Sequence, residues 1–325
     1  MKRLTLGMGM LLAALPLSMA AAADAPAAYP EKPITIVVPY PPGGSTDALG
    51  RLLGEKIGAA LGQTVIVENK AGASGNIGAV AVKNSKADGY TLFLGTSTAL
   101  SVNQSLYPDM PYNPQKDFEP IILASFLPSL VVVPSSLPVK TLPELTAYLK
   151  KQGGKANYAS SSNGTPAHLG GELYKRMANV EATHVPYKGG APALVDLVAG
   201  RTNYMFAILP ESMPMVKSGQ LRALAVTTAK RLSAYPDIPT VAESIPGYEL
   251  LGWYGFLAPK GTPKPIIKKL NEAFNQALED PQTKKRLSTM GFEIAGGPPE
   301  RLGDMMRTES VKWKKVIDEA GIKLN

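Results

Sequence analysis

The sequence predicts an α/β protein of two domains facing each other across a cleft, and three of its features carry that expectation. Apolar β-branched runs alternate with amphipathic helical segments from residue 34 onward, the pattern of parallel strands covered by helices. The alternation breaks at Ser125 to Ser129 and then starts again. The last helical segments bring no strands of their own, so they are expected to pack back on the first sheet, and the chain then crosses between domains twice, near Ser125 to Ser129 and near Leu251 to Phe256. With 325 residues, 45% hydrophobic and 18% charged, the chain has the composition of a packed globular protein.

The N-terminus reads as a segment to be removed. Lys2 and Arg3 precede an apolar run from Leu4 to Leu17 and small residues from Ser18 to Ala23, with an A-x-A cleavage site at Ala21 and Ala23. The run is too short to span a bilayer. The absence of cysteine excludes lipidation at the cut, disulfides, thiol nucleophiles and zinc-thiolate sites, and only two histidines, His168 and His184, argue against a metal site. A soluble monomer exported to a bacterial periplasm, without metal or cofactor, is expected. The net charge of +8 loses two with the signal peptide, and the densest positive groups, Ile266 to Lys269, Lys284 to Arg286 and Lys312 to Lys315, fall on amphipathic surface helices. No nucleic-acid stripe is predicted.

The first strand is Ile34 to Val38, followed by a helix with Leu49, Leu52, Leu53, Ile57 and Leu61 on one face, Ser45 or Thr46 as its cap and Gly62 as its stop. Strand Thr64 to Glu68, helix Asn76 to Lys83 and strand Thr91 to Leu94 complete a β-α-β-α-β unit with right-handed crossovers. Strands Pro120 to Ala124 and Leu130 to Val133 flank the break. The second unit comprises a helix opened by the Thr141 and Glu144 capping box, strand Asn157 to Ala159, helix Pro166 to Met177, strand Ala182 to Tyr187, helix Ala191 to Val198, and strands Asn203 to Ala207 and Ala223 to Thr227. A proline-rich loop, Pro236 to Tyr248, and an apolar stretch, Leu250 to Pro259, lead to helices near Pro263 to Leu278, Pro281 to Met290 and Pro298 to Glu319. The expected partition is a signal peptide at 1–23, a first domain of 24–127 with 254–325, and a second of 128–253.

The candidate chemistry sits where strands turn into helices. Tyr40-Pro41-Pro42-Gly43-Gly44-Ser45-Thr46-Asp47 joins the carboxyl end of the first strand to the first helix, so bare amides and a helix N-terminus offer an anion site. An acid on an anion would repel it, so Asp47 is read as bracing the loop. Gly72-Ala73-Ser74-Gly75-Asn76-Ile77-Gly78 offers a second wall of amides, and Thr96, Ser97 and Thr98 add neutral donors at the same sheet edge. In the second domain, Ser160 to Pro166 again joins a strand to a helix start, with Ser161, Ser162 and Gly164 in the loop and Thr165 as cap. Tyr187 supplies a rigid wall with a polar tip.

Two enzyme readings compete. Ser161 or Ser162 with His168 could serve hydrolysis, but no G-x-S-x-G elbow is present, and His168 sits in the first turns of the adjoining helix, where it braces the loop. The G-x-x-G-x-x-G of Gly72 to Gly78 suggests a nicotinamide dinucleotide, but it follows the second strand rather than the first, with no acid ending a strand about twenty residues on. His184, inside an apolar strand, reads as a core residue.

Together these motifs resemble the solute-binding proteins of the tripartite tricarboxylate transporters, the Bug family. The resemblance is carried by Tyr29 to Ile34, Pro39 to Asp47, Gly72 to Gly78, Ala87 to Thr91, Gly164 to Leu169, Val185 to Gly189, Pro236 to Thr240 with Glu243, and Trp253 to Phe256 followed by Pro259 to Pro263. It implies a type II periplasmic-binding fold that closes on one small organic carboxylate and passes it to membrane transporter subunits or a sensor kinase. The ligand residues implied are Tyr40, Pro42, Gly43, Gly44, Ser45, Ala73, Ser74, Gly75, Asn76, Thr96, Ser97, Ser161, Ser162, Gly164, Thr165, His168, Tyr187 and Ala207. At Ala207, after Met205-Phe206, relatives often carry an Asp that could pair with an ammonium, so its loss points to a ligand without an amino group.

Overall fold

The computed structural model describes residues 29–232 and 234–322; the predicted signal peptide lies outside them. The first half runs β1 (Ile34–Val38), α1 (Ser45–Leu61), β2 (Val65–Asn69), α2 (Asn76–Lys83), β3 (Thr91–Thr96), α3 (Asn103–Leu106), α4 (Pro114–Asp117) and β4 (Phe118–Leu127). After Pro128 come β5 (Ser129–Pro134), α5 (Leu142–Gln152), β6 (Asn157–Ser160), α6 (Pro166–Ala178), β7 (Thr183–Pro186), α7 (Gly190–Val198), β8 (Tyr204–Ile208), α8 (Leu209–Lys217), β9 (Leu221–Val226) and α9 (Val241–Ser244). The chain ends with β10 (Gly252–Pro259), α10 (Lys264–Glu279), α11 (Pro281–Thr289), β11 (Glu293–Ile294) and α12 (Pro299–Ala320).

Two mixed sheets result. The first has the order β11-β4-β10-β3-β1-β2 and the second β7-β6-β8-β5-β9. The pairs β1/β2, β1/β3, β6/β7 and β6/β8 are parallel, as the buried apolar runs require, whereas β10 runs antiparallel to β3 and β4, and β5 runs antiparallel to β8 and β9. Each sheet is covered on both faces. In the first, Leu49, Leu53 and Ile57 of α1 and Phe274 of α10 pack against one side, and Ala79 and Val82 of α2 with Leu302 and Met306 of α12 against the other. In the second, Leu145, Leu149 and Leu169 lie on one side and Ala193, Leu194 and Leu197 on the other.

Several sequence expectations are corrected here. Gly252 and Trp253, expected in the second domain, begin β10 in the middle of the first sheet, where all eight strand residues are buried; Tyr254 and Phe256 face α1 and α10, while Trp253 and Leu257 face the other side. The boundary expected at 253/254 thus falls inside a strand, because the alternating side chains need both helical layers of that sheet. The C-terminal helix does not simply pack back on the first sheet. Its start joins the first core through Leu302 and Met306, while Trp313 and Ile317, followed by Ile322, join the core of the second sheet. Twenty-two residues of helix reach about 33 Å, enough to lie across both halves. The chain therefore crosses three times, at Pro128, at Leu251 and along α12.

Further elements were not anticipated. A short helix, α9, interrupts the proline-rich loop, with Thr240 and Glu243 forming a capping box. Residues 98–106 are helical, and α8 follows β8 directly. Pro210 starts α8 and Pro214 lies within it, which breaks the apolar spacing that would have announced a helix.

Candidate functional site

The carboxyl ends of β1, β3, β6, β7 and β8 point into the gap between the sheets, where ligands of open α/β sheets are expected. A cavity of about 260 Å³ occupies that gap. Three helices begin on it, α1 at Ser45, α6 at Pro166 and α7 at Gly190, while α8 places Glu211 of its first turn on the wall and its Leu209 N–H donates to Pro128 O at 3.0 Å. Each start leaves backbone N–H groups without intrahelical partners and carries the positive end of a helix dipole. The rest of the wall is largely apolar or hydroxylic, with Leu127, Ile208, Thr46, Thr98, Trp253 and Tyr254 among the lining residues.

The structure brings half of the predicted residues to this cavity. Tyr40, Pro42, Gly43, Gly44, Ser45, Thr96, Ser97, Ser161 and Thr165 line it. Asp47 braces the first loop as expected. Its Oδ2 accepts from the Gly43 N–H at 3.0 Å and from Arg51 Nε at 3.0 Å, its Oδ1 accepts from Asn69 at 2.9 Å, and these donors hold its carboxyl below the usual range despite burial. Burial pushes the Tyr40 phenol up to about 12, so it stays a neutral donor at every relevant pH.

The other predicted residues stand outside the cavity wall. Ser74 reaches across to the second half: its Oγ donates to Asn163 O at 2.9 Å and accepts from Ser162 Oγ at 3.0 Å and from Tyr107 at 3.2 Å. Gly164 is held by Thr98, whose hydroxyl donates to its carbonyl at 3.2 Å. The Gly72 loop thus serves as an interdomain contact, with Ala73 (φ 45°), Ser74 (φ 54°) and Gly75 (φ 94°) in the left-handed region. Asn76 is buried against Asn103 and Tyr112, Tyr187 donates to Asp196 at 2.8 Å, and Ala207 is buried in the second sheet. None of these last three reaches the cavity, because neighbouring side chains claim their polar ends or β8 turns them into the core.

His168 lies behind the wall. Its Nδ1 accepts from the Gly164 N–H at 3.0 Å, which fixes the Ser161 to Thr165 loop and occupies the nitrogen a general base would use. Its ring stacks on His184 at 4.0 Å. Burial pushes His168 down to about 4 and His184 down to about 3, the latter with help from the charges of His168 and Lys175, so both are neutral at pH 7. Ser160 Oγ donates to Ser162 O, so the His184 Nε2–H must donate to Ser160 at 2.6 Å. A serine whose proton is committed to a carbonyl and whose histidine is a donor is a structural pair, not an activated nucleophile.

The sequence reading missed Glu211, on the first turn of α8, the one carboxylate on the cavity among the described residues. Its Oε1 accepts from the Ser45 N–H at 3.2 Å and the Ser45 hydroxyl at 2.9 Å. This corrects the cap of α1: neither Ser45 nor Thr46 caps it, Gly44 takes that position without a side chain, and a carboxylate from the opposite half meets the free N–H. Ser45 and Thr46 instead engage the Tyr254 hydroxyl at 3.3 and 2.9 Å. Burial raises the Glu211 carboxyl above its ordinary range, only partly offset by the two Ser45 donors. The signal for Glu211 was present: Leu209-Pro210-Glu211 directly follows β8, a strand-to-helix turn like the other three.

A two-domain solute-binding receptor, with a small cavity between its sheets, is the class of protein that this fold and site define. The sequence profile of the tripartite tricarboxylate transporter family receptors matches residues 49–322. Three solved structures are similar over the whole described chain. A protein of R. palustris with adipate has a TM-score of 0.88 and 39% identity, covering 91% of this chain and 99% of its own. The periplasmic binding protein BugD has a TM-score of 0.86 and 36% identity over 91% and 99%. MatC from Rhodopseudomonas palustris with bound malate has a TM-score of 0.84 and 32% identity over 89% and 100%. The chain belongs to the tripartite tricarboxylate transporter receptor family, a family of periplasmic solute receptors rather than enzymes. Among the described residues no helix is long and apolar enough to cross a membrane, and no group of acidic or histidine residues could hold a metal ion.

Proposed function

We propose that the chain is exported by its N-terminal signal and captures a small organic carboxylate in the periplasm, as a monomer, for membrane transporter subunits or a sensor. The observation that carries this is the convergence of three helix starts and several hydroxyls on one cavity that Lys188 also lines, a setting that stabilises negative charge. The adipate and malate bound by two relatives belong to the same chemical class. Residues of the Tyr40 to Thr46 loop hold one end of the ligand, and Ser161 and the starts of α6 and α7 the other. The two halves close about Pro128 and Leu251, with the contact of Ser74 to Ser162 and Asn163 formed on closure.

Thermal unfolding of the mature protein against small carboxylates, sugars, phosphate and nicotinamide nucleotides tests the reading. A true ligand at a hundredfold excess over its dissociation constant adds about 2.7 kcal/mol to the native state. Carboxylates alone are expected to raise the midpoint; a shift confined to a sugar or a nucleotide overturns the reading.

A further inference from the structure

The hydroxyl groups around the cavity are mostly committed within the protein. Ser45 Oγ donates to Glu211 at 2.9 Å, and the Tyr254 hydroxyl lies 2.9 Å from Thr46 Oγ1 and 3.3 Å from Ser45 Oγ. Thr98 donates to the Gly164 carbonyl at 3.2 Å and Thr165 to the Ser162 carbonyl at 2.7 Å, while the Tyr40 hydroxyl is held by Thr96 and Thr98. Glu211 offers a ligand nothing, since one oxygen is committed to Ser45 and the other is shut off from solvent. The indole N–H of Trp253 is shut off in the same way, so this ring shows the cavity only carbon. With those two atoms closed off, the lining side chains left without a partner among the described residues are Ser97, Ser161 and the exposed Lys188.

Carbon makes up the rest of the wall, where Leu127, Ile208, Pro42, Pro166 and Pro192 join Trp253. A carboxylate only accepts hydrogen bonds, and the N–H groups of the helix starts with these three side chains supply its donors. A hydroxyl on the ligand's body must also donate, and against this wall it exchanges water for carbon. We propose that the cavity selects acids by their body: the ligand is a carboxylate on a hydrocarbon chain or ring, and hydroxy acids and sugar acids are turned away. A methylene gains from contact with the wall, whereas each hydroxyl loses its hydrogen bonds to water and meets groups already committed elsewhere. The proposal rests on the carboxylate reading above and narrows it from the acid group to the rest of the ligand.

Calorimetric titration of the mature protein with matched acids of equal charge is the test: adipate against galactarate, succinate against tartrate, and cyclohexanecarboxylate against quinate. Each pair shares its carbon skeleton and carboxylates and differs only in hydroxyls. The hydrocarbon member of at least one pair is expected to bind about tenfold tighter or more, the scale of one unmatched buried hydroxyl. Ile208→Thr, which puts a hydroxyl on the carbon wall, is expected to narrow that gap severalfold. Pro192→Ser, at an exposed lining position, repeats the comparison if Ile208→Thr loses the wild-type unfolding transition. Equal or tighter binding of the hydroxylated member in every pair overturns the proposal and leaves the carboxylate reading standing, as does a gap that both variants leave unchanged. Failure of every acid to bind removes the carboxylate reading as well.

Discussion

Two of the contacts that join the halves of the molecule across the cleft differ in chemistry. Inside the cavity a carboxylate, Glu211, meets a helix start at Ser45; outside it, neutral hydroxyls and a carbonyl join Ser74 to Ser162 and Asn163. The inner contact uses the same N–H that would hold a ligand's carboxylate, so its strength depends on what occupies the cavity. The outer one sits outside the cavity wall and carries local strain in Ala73 and Ser74. The difference separates two kinds of contact: a carboxylate on a helix start inside the cavity, and neutral hydrogen bonds outside it.

The comparison breaks most directly at Gly190. In Gly190→Val the new side chain occupies the position of Glu211 Oε2 and pushes the carboxylate off Ser45. Overpacking of this kind costs about 1–3 kcal/mol, and ligand affinity measured by calorimetry should fall on the order of tenfold or more. Next comes the outer contact. Ser74→Ala deletes a hydroxyl with three partners and should cost about 1–2 kcal/mol in denaturant unfolding, and weaken every ligand by a similar factor. Ser74→Gly loses the same hydroxyl but relieves the left-handed backbone, so it should be less destabilising than Ser74→Ala by about 1 kcal/mol. Equal losses in the two variants would remove strain from the account.

The smallest expected effect is the pH dependence of the inner contact. Burial raises the Glu211 carboxyl, so the folded protein binds a proton that the unfolded chain, near 4.5, has already released. Its contribution is fully present below 4.5 and is lost as pH rises through the raised value. The stacked histidines act in the opposite sense. They are lowered from 6.5 to about 4 and about 3, so their contribution is present above 6.5 and lost as pH falls through those values. The effect of Glu211 therefore shows in the difference between the wild-type protein and Glu211→Gln. Wild-type stability relative to Glu211→Gln should increase between pH 7 and pH 5, and a flat difference would contradict the buried, raised carboxyl.

How much of this was legible in the sequence follows from how local each signal is. The strand Ile34–Val38, the turn to α1 and the helix Asn76–Lys83 are set by runs of a few residues, and the structure places them at or within a residue of the expected bounds. The bracing role of Asp47 is legible because two of its partners, Gly43 and Arg51, lie four residues away. What escaped depends on distant chain. The central place of β10 is decided by strands more than 120 residues earlier, and the crossing of α12 by a core that its own spacing cannot reveal. Glu211 was missed because Pro214 hides the helix that carries it and because its meaning lies in Ser45, 166 residues away. Conversely, Ser74, Asn76 and Tyr187 have polar chemistry suited to a ligand, yet in the fold that chemistry is spent on Ser162, Asn103 and Asp196.

Hydrogen–deuterium exchange, with and without the carboxylate that gives the largest thermal shift, tests the central claim that the helix starts around the cavity form the ligand seat. The account predicts new protection in peptides covering Pro42 to Thr46, Ser161 to Pro166 and Gly189 to Ala191, with none in the surface groove between Lys83 and Tyr112. Protection confined to that groove, or absent from the three helix starts while the ligand is bound, would contradict it.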